Sequence, residues 1–242
     1  MKKQTLKKIV LTICFTIASL PQFAFYQTVI SNEELIGKGQ PKLFGNGYNL
    51  REKAHLAFKK MQTAALKDGI SIGAVSSYRG FAHQKRIWER KFKSNKAKGL
   101  SDQDNIKKII EYSTIPGTSR HHWGTDIDIY QTNVKQPRSV LLPSNFHNNG
   151  PYCKLKEWMD VNAATYGFYL VYTDNANRKG FKYEPWHFSY KALSFDYLKA
   201  YQKLNITEIL KKEALSGSDS FTETFINQYL NQNILDINPE LL

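Results

Sequence analysis

Apolar positions recur at helical spacing from Leu50 onward. Leu50, Ala54, Ala57, Phe58, Met61 and Ala65 predict an amphipathic helix that Gly69 stops. Ile70 to Ser76 then reads as a strand, and a second helix is predicted from about Phe81 to Phe92 with Ile87 and Trp88 turned inward. Ser101, with Asp104 three residues on, resembles a capping box that opens a short helix through Ile106, Ile109 and Ile110. Thr125 to Tyr130 alternates polar and apolar and predicts another strand. Leu155, Trp158, Met159, Ala163 and Tyr166 form a further helical stripe, closed by Gly167. Phe168 to Tyr172 and Trp186 to Tyr190 are strand-like, and the turn residues of 173–180 between them predict a hairpin. Residues 131–152 show no periodicity and read as a long loop. The stretches 192–213 and 219–235 predict two last helices with Gly217 between them. The pattern is that of an α+β fold: a single domain with a small antiparallel sheet flanked by helices, plus a helical C-terminal extension over 191–242.

The first 25 residues do not fit that pattern. Lys2, Lys3, Lys7 and Lys8 precede an apolar run from Ile9 to Leu20, followed by Pro21 and the small residue Ala24. This is the order of a signal peptide for export, with an uncleaved N-terminal anchor in the membrane as the other reading. The run falls short of the roughly 20 apolar residues that span a bilayer. A lipoprotein reading would use Cys14, but bulky Ile13 stands where a small residue is needed. Residues 26–46 follow as a linker, its end rich in Gly, Asn and Pro. The expected location is outside the cytoplasm, in the periplasm or cell envelope.

Composition narrows the function further. The chain of 242 residues is 41% hydrophobic, which supplies a core and excludes wholesale disorder. Two cysteines, Cys14 and Cys153, are too few for a disulfide framework or a zinc ribbon. Lys+Arg 34 against Asp+Glu 21 gives a formal net charge of +13, concentrated before residue 203. A basic surface suits nucleic acid or an anionic wall polymer. An exported protein rarely meets nucleic acid, so the expected partner is an acidic component of the envelope.

The candidate chemistry lies in two short segments. No Gly-x-Ser-x-Gly elbow, phosphate-cradling loop or His-Glu-x-x-His helix occurs. In the strand from Thr125 to Tyr130, Asp126, Asp128 and Tyr130 share one face while Ile127 and Ile129 face the core. Gly124 permits a sharp turn, so a histidine of the His121-His122 pair can fold back toward the aspartates. Glu184-Pro-Trp-His187 offers a second imidazole and a spare carboxylate. Two imidazoles and a carboxylate suit Zn²⁺, and three protein ligands leave an open position of the catalytic kind.

The order Ser119, His121, Gly124, Asp128, then Glu184 and His187, resembles the motif of the D-alanyl-D-alanine carboxypeptidase family, the VanY-like zinc peptidases: Ser-x-His-x-x-Gly-x-Ala-x-Asp followed by Glu-x-x-His. The segment Ser76-Ser-Tyr-Arg-Gly-Phe-Ala-His-Gln84 is also similar to the family's, and the resemblance covers residues 47–190. It implies zinc held by His121, Asp128 and His187, with Glu184 as general base. Arg79, Gln84 and Ser119 fall at substrate-binding positions, and Arg79 also stabilises charge on the reacting oxygen. The guanidinium of Arg79 matches a terminal carboxylate better than a lysine would. His83 and His122 stand outside the motif and read as bystanders. Asp126 departs from the family's alanine, as an extra carboxylate that either tunes the metal or competes for it. Pro185 is expected to mark a bend that brings Glu184 and His187 together.

The function implied is a monomeric carboxypeptidase that removes the C-terminal D-alanine of peptidoglycan stem peptides. A peripheral or anchored membrane association and no nucleic-acid partner go with it. A wall endopeptidase or a D,D-dipeptidase on the same scaffold is the alternative, set by how the loop 131–152 closes the groove. A catalytically silent zinc module that only binds peptidoglycan would have no need of both Glu184 and Arg79.

Overall fold

The computed structural model describes residues 30–242. The N-terminal segment read as a signal peptide, and the first residues of the linker, lie outside the described residues. Among the described residues no helix is long and apolar enough to cross a membrane.

A short helix α1 (Asn32–Leu35) is followed by α2 (Glu52–Lys67), which buries Ala54, Phe58, Met61 and Ala65, the stripe expected from the spacing. Gly69 ends it at φ +76°, a left-handed conformation, and Ile70 N–H turns back to the Ala65 carbonyl at 2.9 Å. Strand β1 (Ile72–Ser76) leads to α3 (Phe81–Lys96). Phe81, Gln84, Trp88 and Phe92 of α3 are buried, whereas Ile87 is half-buried at the wall of a cleft. Helix α4 (Asp102–Ile109) starts where expected: the Ser101 side chain accepts from Asp104 N–H. Strand β2 (Asp126–Gln131) follows a turn of 3₁₀ helix at Arg120–Trp123.

The long loop after β2 contains only a 3₁₀ turn at Pro143–Phe146 before α5 (Cys153–Asn162). Strands β3 (Phe168–Leu170) and β4 (His187–Tyr190) pair antiparallel, as the hairpin pattern predicts. Beyond them the chain departs from expectation. The first long helix is two, α6 (Lys191–Tyr201) and α7 (Ile206–Lys211), because Asn205 caps a new start by accepting from Glu208 N–H. The second is α8 (Glu223–Tyr229), continued by a wider-wound π turn at Leu230–Ile234.

The four strands lie in the order β1-β2-β4-β3, all antiparallel. Register explains the two faces. Ile127 pairs with Phe188, and both point with Ile129 into a core built from α2, α5 and Phe168. Asp126 pairs with Ser189 and Asp128 with His187, so these four side chains share the opposite face. A second core joins Leu35, Trp88 and Trp123 to Tyr197, Tyr201, Ile226 and Tyr229 of the last helices. Residues after 191 thus close the body of the protein rather than trailing from it.

Candidate active site

Local folding sends neighbouring side chains of the segment Ser119–Trp123 in different directions. The Ser119 hydroxyl accepts from His121 N–H at 3.3 Å and starts the 3₁₀ turn. Gly124 ends it at φ +69°; a Cβ there would come within 2.9 Å of Leu43 Cδ2. On this tight turn Trp123 enters the second core beside Tyr197 and Tyr201. Arg120 and His121 are turned toward the polar face of the sheet.

His121, Asp128 and His187 converge there, each buried, with one ligand atom apiece lying within 4.8 Å of the others. Their hydrogen-bond partners fix which atoms face inward. His121 Nδ1–H donates to the Ser77 carbonyl at 2.7 Å, leaving the Nε2 lone pair 3.3 Å from Asp128 Oδ2. His187 Nε2–H donates to Asp126 Oδ2 at 3.0 Å, leaving Nδ1 3.7 Å from Asp128 Oδ1. Asp128 Oδ1 is buried without a hydrogen-bond partner. The His121 lone pair and the unpartnered Asp128 oxygen call for a cation between them, and two imidazoles with one carboxylate form a donor set that zinc prefers. The residues present fit a zinc ion.

Electrostatics agrees with the geometry. Burial lowers the pKa of His121 to about 4, with Arg79 adding to the effect, so the ring stays neutral. Burial would also lower that of His187, but Asp128, Asp126 and Glu184 together raise it to about 10, so without an ion the ring carries a proton on Nδ1 as well, facing Glu184, and a metal would take that proton's place. That negative field draws in positive charge. Asp128 is held below the usual carboxylate range by the two histidines in spite of its burial.

Glu184 stands at the edge of this cluster, outside the trio. His187 N–H bonds back to the Glu184 carbonyl at 3.1 Å, closing a turn around Pro185, and Glu184 Oε2 comes within 3.1 Å of His187 Nδ1. The bend expected from the proline is present. Burial raises the Glu184 pKa, partly offset by His187.

A cleft of about 650 Å³ opens over the cluster. Arg79, His83, Ile87, Arg90 and Lys91 line one wall, and Leu141, Leu142 and Pro143 of the long loop line another. Glu184, Ser119, His121, Asp128 and His187 are reached from it. Arg79 is half-buried, with its Nε lacking a partner. Gln84, expected at a substrate-binding position, is fully buried away from the cleft. Its Oε1 accepts from Arg79 Nη1 at 3.1 Å and its Nε2 donates to the Thr114 carbonyl at 2.9 Å, so it touches the cleft only through Arg79.

Two residues that sequence reasoning set aside or passed over belong to the support of this site. His122, read as a bystander, is fully buried. It accepts from Gly117 N–H through Nε2 at 3.1 Å and donates through Nδ1 to the Arg79 carbonyl at 2.5 Å. It ties the Arg79 segment to the loop before Ser119. Arg120 was not singled out at all, and it pairs with Asp126 at 2.9 Å with both side chains almost wholly buried. The signal was a new carboxylate and a cation six residues apart within one motif. His83, by contrast, is exposed at the rim.

A family model described as VanY, D-alanyl-D-alanine carboxypeptidase, matches residues 47–193. The D-alanyl-D-alanine carboxypeptidase of Enterococcus faecalis is 28% identical over 151 residues, 62% of this chain and 51% of that relative. The match spans about half the length of this relative and of a second one, YodJ of Bacillus subtilis. Among solved structures, a mutant of the vancomycin resistance D,D-pentapeptidase VanY from a VanB-type cassette, in complex with Zn(II), aligns with a TM-score of 0.50 at 25% identity. The alignment covers 68% of this chain and 84% of that one. VanYB in complex with D-alanine-D-alanine aligns with a TM-score of 0.51 at 26% identity, covering 73% and 91%.

Proposed function

The chain belongs to the VanY D-alanyl-D-alanine carboxypeptidase family, and on that premise we propose that it is a zinc carboxypeptidase removing the C-terminal D-alanine of peptidoglycan stem peptides. The observation that carries the reading is the trio of inward-facing ligand atoms of His121, Asp128 and His187, with Glu184 beside it but outside it. A catalytic zinc site needs that arrangement: three protein ligands and a separate carboxylate. A module that only binds peptidoglycan would need no such carboxylate.

His121, Asp128 and His187 would hold the metal. Zinc bound there supplies Lewis acidity, which brings the pKa of water from 15.7 to roughly 7. Glu184 receives the proton of the attacking water on Oε1, the oxygen that makes no bond to His187, and returns it to the leaving amine. Arg79 holds the terminal carboxylate of the peptide through the donors that Gln84 leaves free, in a charge-assisted pair. The Ser119 hydroxyl accepts from its own turn and has its proton left to donate to the peptide. The cleft is large for a dipeptide, and its apolar wall at Leu141–Pro143 gives the upstream residues a surface to lie on. This favours a stem peptide over free D-alanyl-D-alanine.

Such a substrate sets the rest of the reading: an exported protein of the cell envelope that acts as a monomer on wall peptides, with no nucleic-acid partner. The domain division proposed with it is a leader or anchor over 1–25, a linker over 26–46, the peptidase over 47–190 and the helical extension over 191–242. The test is digestion of defined tri-, tetra- and pentapeptide stems, followed by mass spectrometry with and without a chelator. The pentapeptide should lose one D-alanine, chelation should stop the reaction, and zinc should restore it. Release of a dipeptide, or an internal cut, would replace this reading with a dipeptidase or an endopeptidase.

A further inference from the structure

Asp126 stands at a position where the family motif carries alanine, and its surroundings meet every demand of the carboxylate. The carboxylate is fully buried and accepts four hydrogen bonds. Ser189 Oγ and Thr125 Oγ1 donate to Oδ1 at 2.6 and 2.8 Å. Arg120 Nε and His187 Nε2 donate to Oδ2 at 2.9 and 3.0 Å. Arg120 also donates through Nη2 to Ser189 Oγ at 2.8 Å, and its guanidinium lies over the Trp123 ring at 4.8 Å. The sheet register accounts for the geometry: Asp126 and Ser189 are paired one step along from the Asp128–His187 pair, so Asp126 reaches His187 diagonally on the same face.

We propose that Asp126, locked by Arg120, Thr125 and Ser189, is a positioning residue that holds the His187 ring with Nδ1 toward Asp128 and thereby sets the affinity of the site for its metal. This rests on the zinc reading of the trio. An ionised carboxylate can only accept, so Asp126 keeps a proton on His187 Nε2, and Nδ1 is the nitrogen left to hold a metal in place of its own proton. The ring edge that would otherwise be free to flip is pinned, with Tyr172 packed edge-on against the ring at a centroid distance of 5.1 Å. Arg120 matters for a second reason. A lone carboxylate at this place would add a third negative charge beside Asp128 and Glu184, and the guanidinium cancels it. Asp126 therefore orients the ligand without becoming a rival for the metal; its oxygens are already occupied by four donors. Carboxylates and carbonyls that hold the far nitrogen of a metal-bound histidine are worth about 10- to 100-fold in metal affinity.

The experiment compares zinc binding by the wild type with that of the double variant Arg120→Met/Asp126→Ala. The double change removes both buried charges together and restores the alanine of the motif. Zinc affinity is read by competition with a chromophoric chelator, and the metal-free melting temperature is read alongside. The expected result is an affinity lower by about 10- to 100-fold with little change in metal-free melting. Equal affinity in the two proteins would overturn the proposal. A second measurement does not depend on the variant folding: ¹⁵N NMR of the histidine rings in wild-type protein loaded with ¹¹³Cd. His187 should show the metal coupled to Nδ1 and a proton on Nε2, and the reverse assignment would also overturn it. A wild type that takes up neither zinc nor cadmium would instead sink the zinc reading of the trio, a different failure.

Discussion

Replacing His122 with glutamine should change how stability depends on pH, not only its level. His122 is buried between the Gly117 N–H and the Arg79 carbonyl. Burial depresses its pKa from 6.5 to about 3, with Arg79 and His121 adding to the effect while the bond to the Arg79 carbonyl opposes it. The ring is therefore neutral in the folded protein above about pH 3. In the unfolded chain it takes up a proton as pH falls below about 6.5. Between that point and about pH 3 the unfolded state binds more protons, so this residue makes stability fall with falling pH. One pH unit is worth 1.36 kcal/mol, so at about pH 5 the wild type should have lost about 2 kcal/mol through His122 alone. His122→Gln keeps one hydrogen bond, does not titrate, and leaves the other buried backbone group unpaired, at about 1–3 kcal/mol. The variant should thus be less stable at about pH 7, with the gap narrowing by about 2 kcal/mol at about pH 5. Urea unfolding of both chelator-stripped proteins, followed by tryptophan fluorescence, measures this directly. A gap that stays constant between the two pH values would show that His122 is not held neutral in the fold.

Glu184→Gln should leave the fold and zinc content intact while lowering kcat by about 10²-fold or more, measured on a pentapeptide stem; near-normal turnover would remove Glu184 from the mechanism. A pentapeptide with a free terminal carboxylate should be cut far better than its C-terminal amide, and Arg79→Lys should erode that preference by losing the guanidinium fork. Equal cleavage of the two by the wild type would point to an endopeptidase. Tyr229→Phe removes a hydroxyl that serves Ile115 N–H at 3.1 Å and Thr118 Oγ1 at 2.8 Å. It should cost about 1–3 kcal/mol in chemical denaturation, and an unchanged midpoint would mean that the loop finds other partners.

Local patterns were readable from the chain because they depend on near neighbours. The alternation through Asp126–Tyr130 fixed the faces of β2, and the capping serine fixed the start of α4. Asn205 was equally local and was passed over: a side chain able to cap a new helix lay inside a run that looked continuous. The support of the site was harder to see, since its partners are distant. Ser189 meets Asp126 across 63 residues, and only strand register brings them side by side. His121 and His122 are adjacent in sequence, yet a tight 3₁₀ turn sends one to the cluster and the other to the Gly117 loop. No spacing rule distinguishes them. The family motif did so only by naming the first.

The hydroxyls of Tyr229 and Tyr201 reach back across the chain to the loop that runs into Ser119: Tyr229 to Ile115 and Thr118, Tyr201 to the Gly117 carbonyl at 3.1 Å. These contacts span 84 to 114 residues. A chain made from its N-terminus has every reactive group in hand once His187 has emerged, but at that moment the loop beside them is still unanchored. Tyr201 supplies a first anchor when α6 arrives, and the two bonds from Tyr229 follow only with α8. The last helices are in this sense a clock: the nascent chain holds its cluster of ligands before it holds its shape. A cut just ahead of α8 that released the helix would take away the Tyr229 bonds and leave the loop on Tyr201 alone, without touching one residue of the motif.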